Sequence, residues 1–180
     1  MPKLPNPLLE KKILKAALGL LSRRGEHALT MRAVATAAGT TTPTVYQRFA
    51  DRDAILQAIC EDARQRLALE LGQAASVEDA CRRYLGFARK HPHEYELLMR
   101  TGWHDAAASG YGGPAFLAAK GKIQKQFPGK PAQQVALLIQ LWCVVHGAAS
   151  LVIAAQHHGD EGEDIVKACL SACRLLLAAH

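Results

Sequence analysis

Residues 29–56 read LTMRAVATAAGTTTPTVYQRFADRDAIL, and this stretch decides the fold. Thr30 stands as an N-cap before the apolar-periodic run Met31-Arg32-Ala33-Val34-Ala35, and Gly39 ends that short helix. Thr41 caps the next one, with Pro43 in its first turn, where a missing N–H costs nothing. Phe49 closes it, and Asp51 caps a longer helix over about 52–72 with Ile55, Leu56, Ile59 and Ala63 on one face. Ala35, Gly39 and Val45 are spaced as a helix-turn-helix needs: a small residue at a helix crossing, a glycine free to turn left-handed, an apolar anchor in the second helix. Helices of seven or eight residues are not stable alone, so both must pack on neighbours.

Those neighbours are legible on either side. Residues 7–24 repeat Leu9, Ile13, Ala17, Leu20 and Leu21 on one helical face, and Gly25 stops the run. After Gly72 the Ala74-Ala75-Ser76 stretch marks the first boundary, which predicts a helix-turn-helix domain over 1–56 whose last helix continues to about 72, and a second domain over 73–180. Helices are expected over 77–90, from His91-Pro92 through Arg100, and over 115–127. The breaker Pro128-Gly129-Lys130-Pro131 follows, then two long helices at about 132–157 and 162–178 joined by an acidic turn. Residues 101–114, rich in Gly, Ala and Ser, read as a loop or irregular helix. Ala and Leu dominate, Val, Ile and aromatics are scarce, and no alternating strand pattern occurs, so the fold class is all-α.

The formal net charge is +6, and its placement is informative. Residues 1–52 hold nine Lys and Arg against three acids, while 53–180 carry thirteen of each sign. A basic N-terminal third on a neutral remainder suggests a polyanion-binding module on a carrier, against the plainer reading of a solvated basic face. The second helix of such a motif enters the DNA major groove, so its outer residues should be polar and long or hydroxylated. Thr42, Thr44, Gln47 and Arg48 fit, and the Tyr46 hydroxyl is placed to reach a phosphate.

Residues 135–155 form 21 uncharged positions, long enough to span a bilayer. Gln140, His146 and Ser150 interrupt the run, and a helix covered by a core and a partner has the same look, so no membrane role is expected. The N-terminus shows no apolar run of signal-peptide length, and the five cysteines lack CxxC spacing; both favour reduced thiols and a cytoplasmic location. Cys169 and Cys173, with His157 and His158, invite a metal reading, but they lack a complete ligand set of known spacing, and helix-packing thiols are preferred; no metal or cofactor is expected.

The stretch closely resembles the N-terminal DNA-binding domain of the TetR (tetracycline-repressor-like) family of transcriptional regulators. The resemblance runs from Ile13-Leu14-Lys15-Ala16-Ala17 and Gly25 through Thr30–Ala35 and Ala38-Gly39 to Pro43–Phe49 and Asp51–Leu56. Arg48 stands where His is frequent in the family, and Arg52 where Lys is usual. Further on, His91–Met99 and Leu141–Gly147 look like a C-terminal domain of the Trp-x-x-x-His-Gly type. The resemblance implies an all-helical regulatory domain, a homodimer made by the last two long helices, double-stranded DNA with a palindromic operator as partner, and an unidentified small-molecule effector.

The site residues follow. Thr30, Arg32, Thr41, Thr42, Pro43, Thr44, Tyr46, Gln47, Arg48 and Arg52 are the expected DNA contacts. Tyr95, Met99, Trp103, Phe116, Trp142 and His146 are candidates for an effector pocket, with Tyr111 beside them, although each could as well be core. Leu141, Val145, Leu151 and Leu170 are expected at the dimer interface. His146 shares a helix face with Trp142 and reads first as a structural histidine. The leading function is a repressor released by an effector, without enzymatic activity. A helical interaction module without DNA binding is the alternative, and a His-dependent enzyme a weaker one, since no nucleophile, base and orienter are grouped in the sequence.

Overall fold

The computed structural model describes residues 7–108, 113–158 and 162–180, with no side-chain description for Pro7, 101–108 and His157. Among these residues there are nine α-helices and no strand: α1 Pro7–Arg24, α2 Met31–Ala37, α3 Thr42–Tyr46, α4 Arg52–Gln73, α5 Val77–Lys90, α6 Pro92–Ala108, α7 Pro114–Gln126, α8 Pro131–His157 and α9 Glu163–Ala178. A single 3-10 turn, Glu26–Ala28, joins α1 to α2.

The caps form where the sequence places them. Thr30 Oγ1 accepts from Ala33 N (3.1 Å), Thr41 Oγ1 from Thr44 N (3.4 Å), and Asp51 Oδ1 from Ala54 N (2.8 Å). Each such cap is worth about 1 kcal/mol. Gly39 sits at φ 59° between α2 and α3, a left-handed turn in which a Cβ would be strained. Ala35 and Val45 are buried on either side of it, so the small-residue crossing and the apolar anchor are both realised.

α1, α2 and α3 pack around Ile13, Leu21, Leu29 and Val34, and the first half of α4 closes this unit with Ile55 and Ile59. α4 is continuous across the junction: its second half packs on α5, α6 and α7. α8 lies against α5, α7 and α9, so the apolar run at 135–155 is a core helix with one uncovered side. Pro131–Gln156 has the length and hydropathy of a membrane span, as such helices do.

One boundary differs from expectation. α6 does not end at Arg100 but continues through Ala108, because Thr101 to Ala108 contains no proline and closes on three alanines, which sustain a helix. Tyr111 lies outside the described residues, as does the side chain of Trp103.

Candidate nucleic-acid interface and effector cavity

α3 presents its outer face to solvent. Pro43, Tyr46 and Gln47 are exposed, Thr42 and Thr44 are half-buried, and Val45 and Phe49 turn inward. Tyr46 is 54 % exposed although it is a large aromatic. Thr44 Oγ1 lies 2.8 Å from Thr41 Oγ1, so the cap holds the Thr44 rotamer. Thr30 and Arg32 are exposed at the start of α2. The Arg48 Nε is buried without a hydrogen-bond partner, which leaves this guanidinium with unmet donor capacity at the end of the motif.

Arg52, one of the expected DNA contacts, is engaged within the fold. Its Nε donates to Leu29 O (2.8 Å), and its Nη2 donates to Glu26 O (3.0 Å) and Glu26 Oε1 (2.8 Å). The planar fork thus pins the turn before α2 to the head of α4, a structural role that a contact 26 residues away in sequence conceals.

Between α4, α5, α6, α7 and α8 lies a cavity of about 330 Å³. Of the expected pocket residues, Met99, Phe116, Trp142 and His146 line it. Tyr95 does not: it is buried behind the wall, where its hydroxyl lies 2.6 Å from His146 Nδ1 and 3.1 Å from the Tyr84 hydroxyl. Tyr84 itself reaches the cavity and stands edge-on to the Tyr95 ring, with centroids 5.7 Å apart at 88°. Trp142 stacks on His146 at 5.7 Å, which agrees with their four-residue spacing. Burial pushes the phenols of Tyr84 and Tyr95 up and the His146 imidazole down, so the relay carries no charge near neutral pH.

Sequence reasoning missed Tyr84, Leu67, Ile123 and Lys122 as lining residues, since they come from three separate helices and read individually as core or surface. It also missed Glu94, the buried charged residue among the described residues, which pairs with Arg66 of α4 and with His91 Nδ1 at 3.2 Å. The Arg66–Glu94 pair ties α4 to α6.

The four residues expected at a dimer interface differ in their burial. Leu141, Val145 and Leu170 are buried within the protomer, because the α5, α7 and α9 packing uses those faces. Leu151 is 59 % exposed. The uncovered side of α8 carries the uncharged Gln140, Cys143, Gly147 and Leu151, and that of α9 carries Ser171 and Leu175 beside the exposed Asp164, Lys167 and Arg174. Cys169 and Cys173 are buried; burial lifts the Cys169 thiol to about 12, and a hydrogen bond with Cys81 together with burial raises Cys173. These are inert, protonated packing thiols.

The profile for bacterial regulatory proteins of the tetR family matches residues 13–59, and the profile for the tetracyclin repressor-like C-terminal domain matches 77–173. The chain belongs to the TetR family of transcriptional regulators. A tetR-family transcriptional regulator from Streptomyces coelicolor superposes with TM-score 0.74 at 20% identity, over 98% of this chain and 83% of that one. A TetR-like transcriptional regulator from Rhodococcus sp. RHA1 gives TM-score 0.63 at 21% identity, over 99% and 100%. A TetR variant from Acinetobacter baumannii AYE, solved in complex with minocycline, gives TM-score 0.69 at 16% identity, over 98% and 96%. No curated protein matches by sequence. At these identities the superpositions establish the shared fold.

Proposed function

We propose that this TetR-family member is a cytoplasmic homodimer that binds a palindromic operator through α3 and releases it when a small molecule enters the helical cavity. The observation that carries the DNA reading is the exposed Pro43-Tyr46-Gln47 face on a basic domain, with a large aromatic left more than half exposed. Thr30, Arg32, Thr41, Thr42, Thr44 and Arg48 surround that face; the capping threonines set the pose of α2 and α3, and Tyr46 with Gln47 makes the outermost contacts. The uncharged face of α8, with Leu175 of α9 beside it, is where a second copy docks, since so apolar a helix is left only partly covered by its own protomer. Two recognition helices then sit about 34–36 Å apart, one turn of DNA, or a small multiple of that.

Release follows from the continuity of α4. Its first half holds the helix-turn-helix and its second half, at Leu67 and Leu71, forms a wall of the cavity. A ligand that favours a tilted α4 separates the recognition helices and weakens binding, and a coupling of about 1–3 kcal/mol gives roughly 5–150-fold.

A mobility-shift titration on the promoter adjoining the protein's own gene tests this. If each subunit neutralises about three to five phosphates, log K should fall against log salt with a slope of about −5 to −9 for the dimer. A flat salt response rejects DNA binding. A ligand that raises the melting temperature but leaves operator affinity unchanged rejects release.

A further inference from the structure

Resting on the reading that the helical cavity is the effector site, we propose that it selects amphipathic carboxylates: an aromatic or aliphatic body with one acid group paired to Lys122. The body is set by the walls. Leu67, Leu98, Met99, Phe116, Ile123 and Trp142 face a space of about 330 Å³. At a water's share of roughly 30 Å³, that space takes about eleven waters, or a ligand of roughly ten to fifteen non-hydrogen atoms. Apolar walls of this kind favour a carbon skeleton over a polyol or a sugar.

The acid group is set by charge. Among the described residues the lining includes Arg64 and Lys122 and no Asp or Glu. Arg64 already carries an ion pair to the exposed Glu61, at 3.4 Å. Lys122 is half-buried, and no hydrogen bond or ion pair to it occurs among the described residues. Its helix, α7, also bears Lys120 and Lys125 and no acid, so every charge on that helix is positive. His146 adds a polar ring but no second charge, because burial keeps it neutral and Tyr95 occupies its Nδ1. A carboxylate therefore gains a charge-assisted hydrogen bond in a partly dry site, a neutral analogue leaves the ammonium unpaired, and an amine meets repulsion. A lysine carries its charge at the end of an apolar stem, which suits a ligand whose acid is terminal.

Isothermal titration calorimetry on the full-length protein distinguishes these cases with two matched sets: 4-phenylbutyrate, its amide and its amine, and nonanoate, nonanamide and nonylamine. The expected order is acid tighter than amide by about tenfold or more, with the amine weakest. Lys122→Met should remove the acid's advantage while leaving the amide within about twofold, and Lys122→Arg should restore the preference. The proposal is overturned if amides bind as tightly as acids, if the preference survives Lys122→Met, or if neither acid binds below about 1 mM. Operator release is read separately, by fluorescence anisotropy of labelled promoter DNA. An acid that binds with this selectivity but leaves the complex intact rejects the release mechanism alone, whereas a neutral molecule that releases DNA without any acid binding rejects the selectivity alone.

Discussion

Arg100 of α6 ion-pairs with Glu26 in the turn before α2, and Arg52 at the head of α4 holds the other oxygen of the same carboxylate. One glutamate thus joins three elements, and the residue before Arg100, Met99, lines the cavity. The two arginines are not equivalent. Arg100 is 60 % exposed and contributes a screened surface pair, whereas Arg52 also satisfies two backbone carbonyls. Arg52→Ala should therefore cost about 1–3 kcal/mol, and Arg100→Met about 0–1 kcal/mol, measured by urea unfolding. Equal losses would show that the carbonyl contacts of Arg52 do not hold the turn.

On the DNA side, the exposed hydroxyl of Tyr46 and the exposed amide of Gln47 should separate by the way they fail. Tyr46→Phe removes a phosphate contact and should weaken all operator sequences alike, by about 1 kcal/mol per subunit. Gln47→Ala should change the ranking of operator variants, with a spread of about 1–3 kcal/mol at one base pair per half-site. Binding arrays over singly substituted operators read both effects. A uniform loss for Gln47→Ala would place it on the backbone instead.

For assembly, Leu151→Glu and Leu175→Glu put charge on the uncovered strip without touching the protomer core, since both side chains are exposed. Sedimentation should show dimers of the parent protein at micromolar concentration and monomers of the double variant, because burying an unpaired carboxylate costs several kcal/mol, roughly. Leu141→Glu is a poor probe for this purpose, since it would unfold the protomer. A double variant that remains dimeric moves the interface elsewhere.

Stability should respond to acid in two ranges. Burial holds the His146 value below its unfolded one, so between the two the unfolded chain binds more protons, and stability falls as pH drops from about 6.5. At Glu26 burial works against ionisation, but hydrogen bonds from Arg100 and Arg52 outweigh it and the net value is lowered. Its stabilisation is present above the usual carboxylate range and lost as pH falls through the folded value. Melting temperatures from pH 3 to 8 should show both limbs. His146→Gln should flatten the first and leave the second, and an unchanged upper limb in that variant would assign the slope to another histidine.

The sequence by itself determined the all-α class, the starts of α2, α3 and α4, and the helix-turn-helix. These depend on neighbours within four residues: a Thr or Asp oxygen meets an N–H three positions on, and a glycine turns the chain where it stands. The resemblance to the TetR family rested on the same local signals. The tertiary structure decided what each side chain meets across the fold. Arg52 looks like a free cation beside a recognition helix until the Leu29 and Glu26 carbonyls come within reach of its fork. Leu141, Val145 and Leu170 are apolar like Leu151, and only the packing of α8 and α9 on each other and on their neighbours buries the first three. Tyr84 and Lys122, 38 positions apart, share one cavity because α5 and α7 both pack on α4. Hydrophobic periodicity tells that a face is buried but does not name its partner, because the hydrophobic effect is non-directional and many packings bury the same area.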